Sequence, residues 1–173
     1  MALVSHLLNK LKGGEFVVTA EITPPVSTDP AEFLQRAMPL KGLAAAINVT
    51  DGAGAKVHLS SLVASHFLLQ AGIEPIFQMT CRDRNRVALQ GDLIGASALG
   101  IHNILVLAGD DPKLGDQPEA KAVFDLNSRD LMLMAHRIRP EGKLPTGVEI
   151  KHGVKLVIGA ADVPQDPTPD WNP

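Results

Sequence analysis

The sequence predicts an α/β fold of the (β/α)8 barrel class, here an incomplete barrel of about five strand–helix units. Three observations lead to this prediction. Short, nearly continuous apolar runs alternate with stretches of helical periodicity. No glycine fingerprint of a dinucleotide-binding sheet follows the first run. The chain has 173 residues, whereas a complete barrel needs about 250.

The predicted strands are rich in Val, Ile and Leu and do not alternate between apolar and polar residues. This pattern is typical of parallel strands covered on both faces. We interpret residues 1–173 as a single domain, with a short amphipathic helix over 1–13 and partly irregular chain over 140–173. The strands are expected at residues 16–22, 43–49, 74–79, 103–108 and 155–160.

Helices are expected between the strands. Asp29 followed by Pro30 is typical of an N-cap and the first helical residue, so a helix begins there. Apolar residues at helical spacing predict two further helices within 58–71 and 84–99. Ser128 is predicted to cap a fourth helix that faces the core.

Composition excludes several classes of protein. The net charge is −3 and no long run of Lys or Arg occurs, so a nucleic-acid partner is not expected. No apolar run is long enough to cross a bilayer. The single cysteine, Cys81, cannot form an internal disulfide, which favours the reducing cytoplasm. The six histidines are scattered without a close pair, so no metal site is expected.

Polar and glycine residues cluster where each predicted strand ends. In a parallel barrel these carboxyl ends form one rim, where binding and catalytic groups gather. Each residue alone has a simpler interpretation: Glu21 as a solvated strand end, Asp110 as a turn cap, and Cys81 as a small buried filler. The cluster as a whole favours a functional rim. Its members are Glu21, Asn48 with residues 50–55, Gln78, Thr80, Cys81 and Asp83, residues 108–112, and residues 159–164.

Seven segments occur in the order and spacing of the methylenetetrahydrofolate reductases, which the chain resembles from about residue 14 to its last residue. It is most similar to the branch found in acetogens and related bacteria. The resemblance implies a barrel that binds FAD and passes a hydride to the methylene carbon of 5,10-methylenetetrahydrofolate. The product, 5-methyltetrahydrofolate, serves methionine synthesis or related one-carbon pathways. The segments are AEITPP, NVTDGAGA, QMTCRDRNR, LQGDLIGASALGI, LVLAGDDPK, VFDLNSRDL and GAADVP.

The resemblance implies two catalytic residues. Glu21 falls on the family's catalytic glutamate. Opening of the folate's imidazolidine ring to an iminium needs a proton on the amine nitrogen, and an acid held where a strand meets a turn suits that task. Asp110 matches an aspartate that lies beside the pterin and is implied to tune the flavin. We therefore expect Glu21 and Asp110 to face one hollow of ligand size.

The resemblance also implies contacts to the cofactor. Thr50, Asp51 and Ala53 match a loop that touches the isoalloxazine, and Gly109 matches a backbone contact to the flavin. Ser128 matches a contact to the ribityl or phosphate part, for which the amide groups at a helix start are suited. The cofactor-binding residues expected are Thr50, Asp51, Ala53, Gln78, Ala108, Gly109, Asp110 and Ser128.

Two positions depart from the better-studied members of the family. Gln78 stands where they have a histidine, and Ala108 where they have an arginine near the flavin. Loss of that positive charge implies a different redox potential or a different electron donor. The donor is left open as a reduced nicotinamide or an iron–sulfur partner, since the family's nicotinamide-contacting part lies beyond this chain.

Two other functions are considered. A catalytically incomplete half-barrel could act as a flavin-binding or partner-binding subunit; with two open sheet edges, it is expected to form a homo-oligomer or join a complementary chain. A pterin-linked methyltransferase would require a zinc or corrinoid site, and no ligand cluster in the sequence supports one. The terminal DVPQDPTPDWNP is interpreted as a loop broken off within the fold.

Overall fold

Five parallel strands form one sheet in which each strand lies beside its neighbours in the chain, in the order β1-β2-β3-β4-β5. The computed structural model describes residues 5–161. Because every crossover moves one place in the same direction, the sheet lacks the order reversal of a doubly wound fold. This confirms the prediction of a partial (β/α) barrel. The strands are β1 Thr19–Ile22, β2 Ala46–Val49, β3 Pro75–Thr80, β4 Asn103–Leu107 and β5 Val157–Ala160.

Helices precede the first strand and connect the others. The first residue of α2 is Pro30, and the Asp29 carboxylate accepts a hydrogen bond from the Ala31 amide over 2.9 Å, as the cap prediction required. Two of the later helices carry a left-handed glycine, Gly100 or Gly142, at the C-terminal cap. The helices are α1 His6–Lys12, α2 Pro30–Ala37, α3 Ser61–Gln70, α4 Arg86–Leu99 and α5 Ser128–Glu141.

The cap of α5 differs from the prediction. Asn127, and not Ser128, is the N-cap, and its Oδ1 accepts a hydrogen bond from the Asp130 amide over 2.8 Å. Ser128 is the first residue of the helix. Asn and Ser are both strong caps, and the extended backbone of Asn127 lets the helix begin one residue earlier than the sequence indicated.

The two faces of the sheet differ in chemistry. One face is apolar and packs against the helices, where Ile47, Phe77 and Ile104 are almost completely buried. Because side chains alternate along a strand, the residues between these point to the opposite face. That face corresponds to the interior of a closed barrel, and it carries polar groups that include Glu21 and Gln78.

The first two strands begin later than predicted. Phe16 precedes β1 and is 94% exposed, and Leu43 precedes β2 and is 77% exposed. Both residues line an open groove of about 600 Å³ at the amino ends of the strands. The apolar character of these two runs therefore predicted more buried residues than the structure has.

Helix α1 lies beneath the sheet, at the amino ends of the strands. Its Leu7 packs against Ala46 and Ile76 on the interior face. The Ser5 hydroxyl contacts a Glu74 oxygen over 2.9 Å and the Asn103 Oδ1 over 2.6 Å. Glu74 also accepts hydrogen bonds from the first backbone amides of the helix, as a carboxylate at a helix N-terminus does.

No helix within residues 5–161 combines the length and apolar character needed to span a bilayer. The predicted N-terminal helix falls partly outside the described residues, which begin at Ser5. The predicted terminal loop, and the last three residues of GAADVP, also lie outside them.

Candidate functional site

A cavity of about 310 Å³ opens at the carboxyl ends of the strands. Its volume lies at the lower end of the range of roughly 300–1,000 Å³ that is typical of small-molecule sites. The lining comes from the ends of β1, β3 and β4 and from the loop after β2. The residues are Glu21, Thr50, Asp51, Ala53, Gly54, Gln78, Thr80, Leu107, Ala108, Gly109 and Asp110.

The structure brings together eight of the nine residues predicted for the site. Glu21 and Asp110 line the same cavity, as the shared rim required. Ser128 does not line it, because it lies at the start of α5. Of the rim residues from β5, Gly159 and Ala160 are described and do not line the cavity. The chemical roles of all nine residues stay predictions.

The acid from the first strand is held by the third. Gln78 is buried, and its Nε2 donates a hydrogen bond to Oε2 of the exposed Glu21 over 2.9 Å. Asn48 on the intervening strand is the register partner of Glu21. Its buried Oδ1 has no hydrogen-bond partner within the described part of the chain. A buried acceptor without a donor, beside an acid, is a place for a ligand, a water or a proton-bearing oxygen to bind.

The loop after β2 turns through left-handed conformations. Gly52 and Gly54 have φ values of 59° and 64°, which favour glycine. The Gly54 amide donates to an Asp110 oxygen over 2.9 Å. The aspartate from the fourth strand therefore holds the loop from the second.

Asp51 is buried beneath this loop, and both of its carboxylate oxygens accept hydrogen bonds. Its two oxygens accept five hydrogen bonds, from the Ser61 hydroxyl, the Thr80 amide and hydroxyl, and both terminal nitrogens of Arg84, at 2.7–3.1 Å. Burial alone would raise the pKa of Asp51, but the hydrogen bonds and charge of Arg84, with the Thr80 donors, lower the pKa below its ordinary value.

Two arginines that the sequence analysis left without a role complete the site. Arg84 binds Asp51 and, through Nε, Asp92 on α4 over 3.0 Å. Arg82 is almost fully buried and donates to the Gly52 carbonyl over 3.0 Å. The available signal was their position: they directly follow β3, next to the strand end that delivers Asp51.

Close packing also fixes the turn after β4. Gly109 has a φ of 94°, and an added Cβ would approach the Cβ atoms of Arg82 and Thr80 to 2.9 and 3.1 Å. A side chain larger than hydrogen would therefore push the turn away from β3. The glycine brings the backbone of this turn against the end of the neighbouring strand.

Cys81 is not placed for chemistry. It is completely buried on the apolar face, within the main core cluster. Burial, reinforced by the negative charge of Asp130, raises the pKa of its thiol and keeps it protonated. The interpretation of Cys81 as a buried filler fits this position.

The cavity is suited to a flat ligand. Small residues line one wall, so a ring can approach the backbone there. A Cβ added to Gly54 would meet no atom within 4 Å, which means that the loop faces open space. Glu21 and Asp110 contribute hydrogen-bond acceptors. Within residues 5–161, no group of three His, Cys, Asp or Glu is placed to hold a metal ion.

Comparison with protein families identifies a match for most of the chain. The family profile described as methylenetetrahydrofolate reductase matches residues 6–139, which includes β1 to β4 and all residues of the cavity. No curated protein sequence matches the chain significantly.

Proposed function

Because the chain belongs to the methylenetetrahydrofolate reductase family, we propose that it reduces 5,10-methylenetetrahydrofolate to 5-methyltetrahydrofolate with FAD as its cofactor. Membership of the family by itself supports an oxidoreductase of the folate pathway. The finer proposal depends on one observation: an acid from β1 and an acid from β4 line a single cavity beside a glycine-rich loop.

FAD, when bound, supplies the hydride. Glu21 holds a proton at its carboxyl group and delivers it to the folate's amine nitrogen as the imidazolidine ring opens. The buried Gln78 orients that carboxyl group through the 2.9 Å hydrogen bond. Asp110 provides a negative charge that stabilises the positive charge developing on the folate.

The loop after β2 would hold the flat ring of the cofactor. Thr50 and Ala53 line the cavity, and the left-handed turn brings backbone groups to its surface. The turn at Gly109 lines the same cavity. Together these residues would hold the ring of the cofactor.

The experiment is a titration of the purified chain with FAD, followed by oxidation of 5-methyltetrahydrofolate with an artificial acceptor. Glu21→Gln should lower turnover by about 10²–10⁴-fold, as removal of a general acid does, and should leave FAD binding intact. Glu32→Gln is the matched control, because Glu32 is an exposed residue of α2. Unchanged turnover in Glu21→Gln would refute the proton-donor role.

A second candidate is a flavin-binding or partner-binding subunit. Within the described residues, β1 and β5 each pair with a single strand, and Phe16 and Val18 are exposed beside β1. Such an edge favours association, so we propose a homo-oligomer or a complementary chain as partner. Light scattering of the purified chain measures this association. FAD binding without turnover in the wild-type chain would favour this candidate.

We propose two further partners and a location. The substrates are the methylenetetrahydrofolate itself and a reduced nicotinamide or another electron donor. The buried free thiol of Cys81 is consistent with a cytoplasmic protein.

A further inference from the structure

We infer that Asp51 is a positioning residue, whose ion pair with Arg84 sets the shape of the loop over residues 52–55 and thereby the wall of the cavity. Resemblance alone implied that Asp51 touches the cofactor. The inference rests on the proposed function only where it concerns FAD. The positioning of the loop itself can be tested without a ligand.

The first step is the saturation of the carboxylate. A carboxylate offers about four lone-pair positions, and Asp51 already accepts five hydrogen bonds from Ser61, Thr80 and Arg84. No acceptor capacity is left for a bound molecule. The side chain is also only 8% exposed, so its contribution is to the protein and not to the ligand.

The second step is the geometry of Arg84. Its two terminal nitrogens bind both Asp51 oxygens, at 2.7 and 3.1 Å, in the fork arrangement that only arginine can make. Its Nε binds Asp92 on α4. Arg84 therefore connects the loop after β2 to a rigid helix.

The third step is the set of contacts that hold the loop directly after Asp51. Arg82 holds the Gly52 carbonyl one residue beyond Asp51, and the Ala55 amide donates to the same carbonyl over 3.0 Å. The Gly54 amide then donates to Asp110. The loop is thus fixed at both ends and in the middle, and it includes Ala55 with a φ of 54°, a left-handed conformation that a non-glycine residue keeps only with support from its surroundings.

The charges agree with this arrangement. The lowered pKa of Asp51 keeps it ionised at neutral pH. The positive charge of Arg84 is shared between Asp51 and Asp92 and so does not reach the cavity as a free cation.

The test is hydrogen exchange of the ligand-free chain, read at the Gly54 and Ala55 amides. Arg84→Gln should accelerate exchange at these amides about tenfold or more. The loss of a hydrogen bond to a charged group changes an equilibrium constant by about ten- to a hundredfold. Exchange in β3 and β4 should stay as in the wild type. Arg86→Gln is the matched control, because Arg86 pairs with Asp125 on the surface and away from the loop.

A second pair of variants covers the case in which Arg84→Gln does not fold. Arg84→Lys keeps the charge and loses the fork, and Arg82→Gln removes the donor to Gly52 together with the ion pair to Asp83. Each should accelerate exchange at the same two amides. Unchanged loop exchange in the folded variants would overturn the inference, as would acceleration spread evenly over the sheet.

Titration with FAD separates this inference from the proposed function. If both hold, Arg84→Gln binds FAD about tenfold more weakly than Arg86→Gln does. If the wild type does not bind FAD but the loop amides respond as expected, the positioning role stands and the proposed function fails. If FAD binding and loop exchange are both unchanged in Arg84→Gln, the positioning role is wrong.

Discussion

Gln78 on β3 and Glu21 on β1 are joined by a 2.9 Å hydrogen bond that reaches over the intervening strand β2. The amide is buried and the acid is exposed, so the amide is the fixed member of the pair. The direction in which the acid points is therefore set by a residue two strands away.

Replacement of Gln78 by Met should lower turnover about tenfold and leave FAD binding nearly unchanged. Met has a similar volume but cannot donate, so the acid loses its orientation and the cavity keeps its shape. Steady-state oxidation of 5-methyltetrahydrofolate measures the turnover. Glu21→Gln/Gln78→Met serves as the control, because the second substitution should cost nothing once the acid is gone. Additive losses in the double variant would contradict this.

Asp51 should make the free energy of unfolding depend on pH. Its pKa in the folded chain is lowered from the ordinary 3.8, so its contribution is present above that value and is lost as the pH falls through the folded pKa. Asp51→Asn should therefore lower the free energy of unfolding by about 3 kcal/mol at pH 7. The difference from the wild type should shrink once the pH falls below the ordinary value.

Urea unfolding at a series of pH values measures this difference. Asp125→Asn is the control, because Asp125 is exposed and its pair with Arg86 lowers its pKa to about 2. Any contribution of Asp125 should persist to lower pH than that of an ordinary carboxyl. A wild-type advantage over Asp51→Asn that stays constant under acid conditions would show that the ionised form of Asp51 is not what stabilises the fold.

Replacement of Ala108 by Arg should raise the midpoint potential of bound FAD. Two acids that form no ion pair with arginine within residues 5–161, Glu21 and Asp110, line the cavity. A cation at Ala108 would favour the more negative reduced flavin. A gain of about 1.4 kcal/mol corresponds to about 30 mV for two electrons. Photoreduction against a reference dye measures the potential. Ala108→Gln introduces a neutral side chain of similar length and should leave the midpoint potential unchanged.

Glu74 should matter for stability and not for chemistry. It receives hydrogen bonds from Ser5, Asn103 and the start of α1 at the amino ends of the strands, away from the cavity. Glu74→Ala should lower the free energy of unfolding by about 1–3 kcal/mol, because these donors lose their partner. Chemical denaturation measures the loss, with exposed Glu15→Ala as control. A loss of FAD affinity in Glu74→Ala at an unchanged free energy of unfolding would contradict this structural role.

Much of the fold was predictable because it follows from local patterns. The alternation of apolar runs and helical stretches located all five strands, and Asp29 with Pro30 located the start of α2. The exact start of α5 was missed because Asn127 and Ser128 are both good caps. Phe16 was expected to be buried because its apolar character placed it within the first strand. That strand begins only at Thr19, so Phe16 precedes it.

The site was predictable only in part. The carboxyl ends of parallel strands lie at the same edge of the sheet, so the sequence was sufficient to predict that Glu21 and Asp110 would line one cavity. It did not identify the partners of Asp51, because Arg84 is distant in sequence and its pairing depends on how adjacent loops pack. The sequence offered an arginine after β3 and an acid after β2, but nothing in the local pattern joined them.

The strictly sequential strand order has a consequence for how the chain acquires its structure during synthesis. Each strand that leaves the ribosome finds its partner already present, so the sheet can extend one unit at a time without waiting for distant segments. Helix α1 is the exception, because Ser5 binds Glu74 and Asn103, which are 69 and 98 residues away. Helix α1 therefore completes its contacts only after the start of the fourth strand has been translated.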